Sequence, residues 1–199
     1  DDPLALRLGV GQPVGLLGLE PATRRRNRLN GTVVAVRDEG IVVEVDQSFG
    51  NCPRYIQARE PSPRTGSPWA GARSPVALGS RLDAAARALI ESADTMFIAS
   101  ASARPRASGA ADGLDVSHRG GRPGFIEIRE DDNGTELILP DYDGNRLFNT
   151  FGNLLANPRA GLLFIDYRHG DLLQLSATAR IEAEQVATDG APGVQRQAR

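Results

Sequence analysis

Two segments concentrate the side chains that could do chemistry. Asp115-Val116-Ser117-His118-Arg119-Gly120-Gly121-Arg122-Pro123-Gly124-Phe125 packs hydroxyl, imidazole, guanidinium and glycine into one short run. Such groups, with the backbone N–H groups that glycine leaves accessible, can cradle an anion beside room for a flat ring. Further along, Pro140-Asp141-Tyr142-Asp143-Gly144-Asn145-Arg146 leads into a helical pattern carrying Asn149, Thr150 and Asn153. A helix N-terminus with an arginine and free hydroxyl or amide groups suits a phosphate. A loop-helix cap with a surface arginine fits the spacing equally well, and both readings stay open.

The remaining candidates are weaker. All 23 basic residues are arginine, which excludes lysine Schiff bases and P-loop lysines and leaves phosphate to arginine forks, hydroxyls, amides and backbone N–H groups. Gly9-Val10-Gly11-Gln12-Pro13 lacks the third glycine of a dinucleotide loop and has a proline where the helix should start. Arg24-Arg25-Arg26-Asn27-Arg28 has no interleaved aromatics in a chain of net charge -2, so it reads as a solvated or partner-facing strand edge and no nucleic acid is expected. Cys52 reads as a buried, inert thiol, the alternative being a nucleophile at a short helix opened by Pro53. His118 and His169, fifty residues apart, make no metal site, and the single cysteine excludes a disulfide framework. Asn30-Gly31-Thr32 and Asn133-Gly134-Thr135 read as tight turns rather than glycosylation sites.

The elements that must position these residues are mostly strands. Apolar runs at Val14–Leu19, Thr32–Val36 and Ile41–Val45 are separated by turns, with Arg37-Asp38-Glu39-Gly40 as a hairpin loop. The stretch from Gln47 to Gln57 is too irregular for a strand. A Pro, Gly, Ser and Arg-rich stretch at 61–79 marks a linker. Ser80 as N-cap opens a helix with Leu82, Ala86, Leu89, Ile90 and Ala93 on one face. Strands follow at Thr95–Ala101, Gly124–Ile128, Glu136–Leu139, Gly161–Ile165 and Leu172–Ile181, with a turn at Asp131–Gly134 and a loop from Ser102 to Gly113. The helix carrying Leu147, Phe148, Phe151, Leu154 and Leu155 stops at Asn157-Pro158. The pattern predicts a mainly β chain with a few short helices, a barrel rather than a doubly wound sheet. No apolar run approaches the ~20 residues of a membrane helix. No membrane association and a cytoplasmic location are expected.

The segments DVSHRGGRPGF, LILPDYDGNRLFNTFGNLLANPRAGLLFID and LLQLSATARI resemble the FMN-binding split β-barrel of the pyridoxamine 5'-phosphate oxidase-like family, in its flavin-nucleotide-binding branch. RRRNRLNGTVV and VDQSFGNCPRYIQAR resemble the second half of a similar barrel. The resemblance implies a partial barrel unit at 1–60, an FMN-binding split barrel at 80–185 and a flexible tail at 186–199. It implies FMN as cofactor, held at the interface of a homodimer. Ser117, His118, Arg119 and Gly120 would lie along the flavin and its ribityl chain, with Arg146, Asn149 and Thr150 near its phosphate. The pyridoxamine oxidases place a lysine in the helix where this chain has Asn149-Thr150, so the resemblance does not extend to the vitamin substrate. The function implied is an FMN-dependent oxidoreductase. The alternatives are a non-catalytic flavin or haem scaffold, or an acceptor served by a separate nicotinamide or iron-sulfur reductase. No residue is singled out as catalytic.

Overall fold

In the computed structural model, residues 8–50, 52–60, 62, 75–103, 113–142, 148–182 and 194–198 are described. Strands β1 (Pro13–Glu20), β2 (Arg25–Arg37) and β3 (Gly40–Gly50) form an antiparallel meander. The hairpin turns at Gly40, whose φ of 153° only glycine adopts freely. The β3 strand runs through Gln47–Gly50, which the sequence pattern left irregular, because Asn27–Asn30 of β2 supply pairing partners.

Helix α1 (Ala84–Ser92) follows, capped by Asp83, whose side chain accepts from the Ala86 N–H at 2.7 Å. Asp83 takes the N-cap place expected of Ser80, and the helix starts accordingly later. The expected apolar face is the one that packs: Ala86 and Ile90 are buried, with Leu82, Leu89 and Ala93 against the core.

Strands β4 (Thr95–Ala101) and β5 (Leu114–Gly120), with β8 (Arg159–Ile165) and β9 (Leu172–Thr178), form a four-stranded antiparallel sheet in the order β5-β4-β8-β9. A second sheet has the order β10-β11-β7-β6, from β6 (Glu127–Asp131), β7 (Gly134–Tyr142), β10 (Ile181–Glu182) and β11 (Val194–Ala198). Helix α2 (Asn149–Ala156) connects the two sheets and ends at Asn157, just before Pro158. The core between these elements contains Met96, Ile98, Ile126, Leu154, Leu162 and Phe164.

Three segments differ from the sequence pattern. Leu114–Gly120 is a strand, because β4 pairs with it along its whole length. Pro140 to Tyr142 end β7 instead of opening a helix. Val194–Ala198, within the stretch read as a flexible tail, is a strand because β7 and β10 offer it backbone partners on both sides. Most of the Ser102–Gly113 loop, most of the 61–79 linker and Asp143–Leu147 lie outside the described residues.

The meander docks on the edge strand β5. A Cβ on Gly15 would stand 3.2 Å from Val116 Cγ2 and 3.3 Å from Leu114 Cβ, so glycine is what lets β1 approach. Asn30 Nδ2 donates to the Leu114 carbonyl at 2.7 Å. Residues 52–57 then cross the end of β5 through a turn at Tyr55, whose φ is 66°. Further on, the Arg59 guanidinium pairs with Asp94 and stacks 4.0 Å from the Tyr167 ring centroid.

Candidate functional site

Alternation along β5 puts Asp115, Ser117 and Arg119 on one side and His118 and Gly120 on the other. Asp115 is 1% exposed and is the hub of the first side. Its carboxylate pairs with the Arg28 guanidinium from β2 and accepts hydrogen bonds from Ser117 Oγ at 2.7 Å and Thr150 Oγ1 at 2.6 Å. Thr150 Oγ1 and Ser117 Oγ lie 3.0 Å apart. Burial pushes the Arg28 pKa down and the adjacent Asp115 charge opposes that shift. A buried carboxylate is tolerable only when its lone pairs are filled in this way. The four residues come from β2, β5 and α2 and fix those elements relative to one another. Nearby, Asn153 Nδ2 donates to Ser100 Oγ at 3.3 Å.

On the other side His118 is 6% exposed, edge-on to Phe97 at 5.8 Å between ring centroids, and its Nε2 is buried without a hydrogen-bond partner. Burial, with the positive charges of Arg26 and Arg59 near it, pushes its pKa down to about 4, so the imidazole is neutral at pH 7. Gly120 lies under the crossing segment: a Cβ there would sit 2.1 Å from the Tyr55 carbonyl oxygen. Glycine at this position is explained by that backbone crossing.

Arg119 is the member of the cluster that reaches a surface. Its Nη1 lies 3.2 Å from Asp141 Oδ1 and its guanidinium 5.2 Å from the Phe151 ring centroid. It borders a crevice lined by Ile98, Phe125, Leu139, Pro140, Thr150, Phe151 and Leu154. The crevice measures about 20 Å³, against the ~10–15 Å³ that one water needs by the same kind of measure. Among the described residues the crevice is too small to enclose a flat tricyclic ring, which would lie across its mouth. At the mouth the donor set fits a flavin in kind, with an apolar floor for the ring and a guanidinium for its electron-rich edge.

Ser117 and Thr150, expected along the ribityl chain and near the phosphate respectively, lie together with their hydroxyls turned inward on Asp115. Arg119 and the half-buried Asn149 border the region where α2 begins. Arg146 lies outside the described residues. Asp115, part of the conspicuous segment but given no role, is the residue sequence reasoning missed; its i, i+2, i+4 spacing with Ser117 and Arg119 was the available signal. Arg28 was also missed: the arginine run is not a uniformly solvated edge, because Arg28 is buried while Arg24 and Arg25 are exposed. Cys52 is exposed, contrary to the buried thiol expected, because no helix forms at Pro53 and the segment lies on the outside of β5. Among the described residues no group of three or more His, Cys, Asp or Glu side chains could hold a metal ion.

Two packed antiparallel sheets, short helices and a polar cluster at an edge strand define a mainly β barrel-type domain with its candidate site beside α2. Residues 82–198 match the family model for pyridoxamine 5'-phosphate oxidase, and the chain belongs to that family, with its split-barrel fold. The match covers α1 to β11 and excludes the meander. Neither the curated proteins nor the solved structures gave a significant match. Among the described residues no helix is long and apolar enough to cross a membrane.

Proposed function

We propose that the chain is an FMN-binding flavoprotein acting as an FMN-dependent oxidoreductase, its flavin lying over the Arg119 crevice and covered by a second copy of the chain. The observation that carries this reading is the family match, whose span contains both segments that converge at Asp115, Ser117 and Thr150. The small size of the crevice supports a shared site, since a flavin on its mouth keeps one face open unless another chain covers it. The FMN phosphate is placed at the N-terminus of α2, where the helix dipole favours an anion. Arg146 and Asn149 are the side chains proposed to complete that phosphate site.

When bound, FMN supplies the hydride and electron chemistry. The protein's share is binding and electrostatics. Arg119 places positive charge at the crevice, steadied by Asp141 and Phe151, and favours negative charge at the ring edge. Asp115 ties β5 to the first turn of α2 through Thr150, beside the crevice that Arg119 borders. His118 is buried and neutral on the other side of β5 and is not part of the crevice.

One observation favours the alternative of a flavin-holding scaffold: among the described residues lining the crevice, none is an acid or base apart from Arg119. Reduction separates the two. Purified chain loaded with FMN is mixed anaerobically with NADH or NADPH while absorbance near the flavin maximum is followed. Bleaching followed by reoxidation with oxygen or a quinone supports the enzyme. Persistent oxidised flavin with both donors favours the scaffold, or a separate nicotinamide or iron-sulfur reductase, and absence of binding removes both.

A further inference from the structure

Arg26 lies on β2 two residues before Arg28, on the same side of the strand. Arg28 meets Asp115, but among the described residues no carboxylate is paired with Arg26. Its Nη2 donates to the Cys52 carbonyl at 3.1 Å, while Nε and Nη1 are shut off from solvent without a partner. On the facing strand, His118 Nε2 is also buried and unpartnered. The two side chains lie beneath the same covering segment. Arg26 holds its Cys52 end; the Gly120 position beneath Tyr55 would put a Cβ 2.1 Å from the Tyr55 carbonyl and 2.9 Å from His118 Cε1.

Around this spot Arg28, Arg59 and Arg119 are paired with Asp115, Asp94 and Asp141, while Arg26 has no carboxylate partner of its own among the described residues and feels Asp115 only at longer range. Burial and the neighbouring Arg28 and Arg119 charges lower the Arg26 pKa to about 10, so it is still cationic at neutral pH. Shielded N–H donors without acceptors are costly, and those of a cation more so. A water molecule would fill the hydrogen bonds but not the charge; an oxyanion fills both. We infer that Arg26 and His118 form an anion site between the meander and the barrel, taking a phosphate or carboxylate group that accepts from Arg26 Nε and Nη1 and from the neutral His118 Nε2–H. Arg26 lies outside the residues matched by the family model and His118 within them, so the site joins the two parts of the chain. The inference does not depend on the flavin reading.

The chain has only two histidines, which makes imidazole nitrogen resonances a direct probe. The full chain, labelled at the histidine nitrogens, is titrated with inorganic phosphate and separately with acetate at pH 7.5. A saturable shift of His118 Nε2, with the exposed His169 unmoved, is expected. R26Q should weaken the apparent phosphate affinity by about tenfold or more, as loss of a charge-assisted contact does. If FMN moves the His118 signal, riboflavin does not and phosphate competes, the anion is the flavin's own phosphate. If phosphate moves the signal in FMN-saturated protein, it is a separate anion. No saturable shift with either phosphate or acetate overturns the inference, as does R26Q titrating like the parent. Should R26Q fail to fold, the parent titration alone decides. Flavin fluorescence, read in the same samples, reports FMN binding independently.

Discussion

Replacing Asp115 by Asn changes almost no volume but removes the charge that Arg28, Ser117 and Thr150 all address. The Arg28 guanidinium, 6% exposed, then loses the carboxylate that opposes its burial. Breaking a buried ion pair from one side costs about 3–5 kcal/mol, and domains of this size hold only about 5–15 kcal/mol in total. D115N should therefore shift the urea midpoint far down at pH 7 with little change in slope. The double variant R28M/D115L removes both charges and should recover most of the loss, since apolar replacements of a buried pair are often neutral or stabilising. Should D115N prove too unstable to purify, S117A gives the milder version, on the order of 1 kcal/mol for one lost donor. A D115N cost below about 1 kcal/mol, or a double variant no better than D115N, would refute the assignment of Asp115 as the hub joining meander, barrel and α2.

Other expectations follow from single observations. His118, neutral when folded with a pKa near 4, takes up a proton on unfolding as pH falls below its ordinary 6.5. Stability is therefore lost between pH 6.5 and 4, and the difference between parent and H118Q in urea melts should fall by on the order of 3 kcal/mol by pH 4; a flat difference contradicts it. G120A should destabilise by about 1–3 kcal/mol because its Cβ collides with backbone, whereas G152A, on an exposed turn of α2 with nothing nearby, should gain up to about 1 kcal/mol in the same melts. R119A should weaken FMN binding about tenfold or more and, because it takes this guanidinium from the buried Asp141, also lower the melting curve; unchanged affinity places the flavin elsewhere.

Local signals were legible where local forces decide. The apolar face of α1, the bounds of β4 and the stop at Asn157-Pro158 follow from periodicity and proline geometry alone. The polar run Asp115–Gly120 hid its strand character because its polar side chains are satisfied by residues far away in sequence, Arg28 being 87 positions distant from Asp115. The same distance hid the burial of Arg28, since an arginine run is normally solvated. The β11 strand was missed because its largely polar sequence, Val-Gln-Arg-Gln-Ala, gives little intrinsic preference, and β7 and β10 impose its pairing. The family resemblance reached the fold correctly, but not which way each hydroxyl turns: Ser117 and Thr150 look like ligand contacts in sequence and are internal ones in space.

The central claim is that flavin binds at the Arg119 crevice. The direct measurement is an equilibrium titration of the purified chain with FMN, followed by flavin fluorescence, with R119A alongside and the assembly mass read in the same buffer. The account predicts saturable quenching with one FMN per chain, a dimer when loaded, and weakened binding in R119A. No saturable binding of FMN, or binding that R119A leaves untouched, contradicts it.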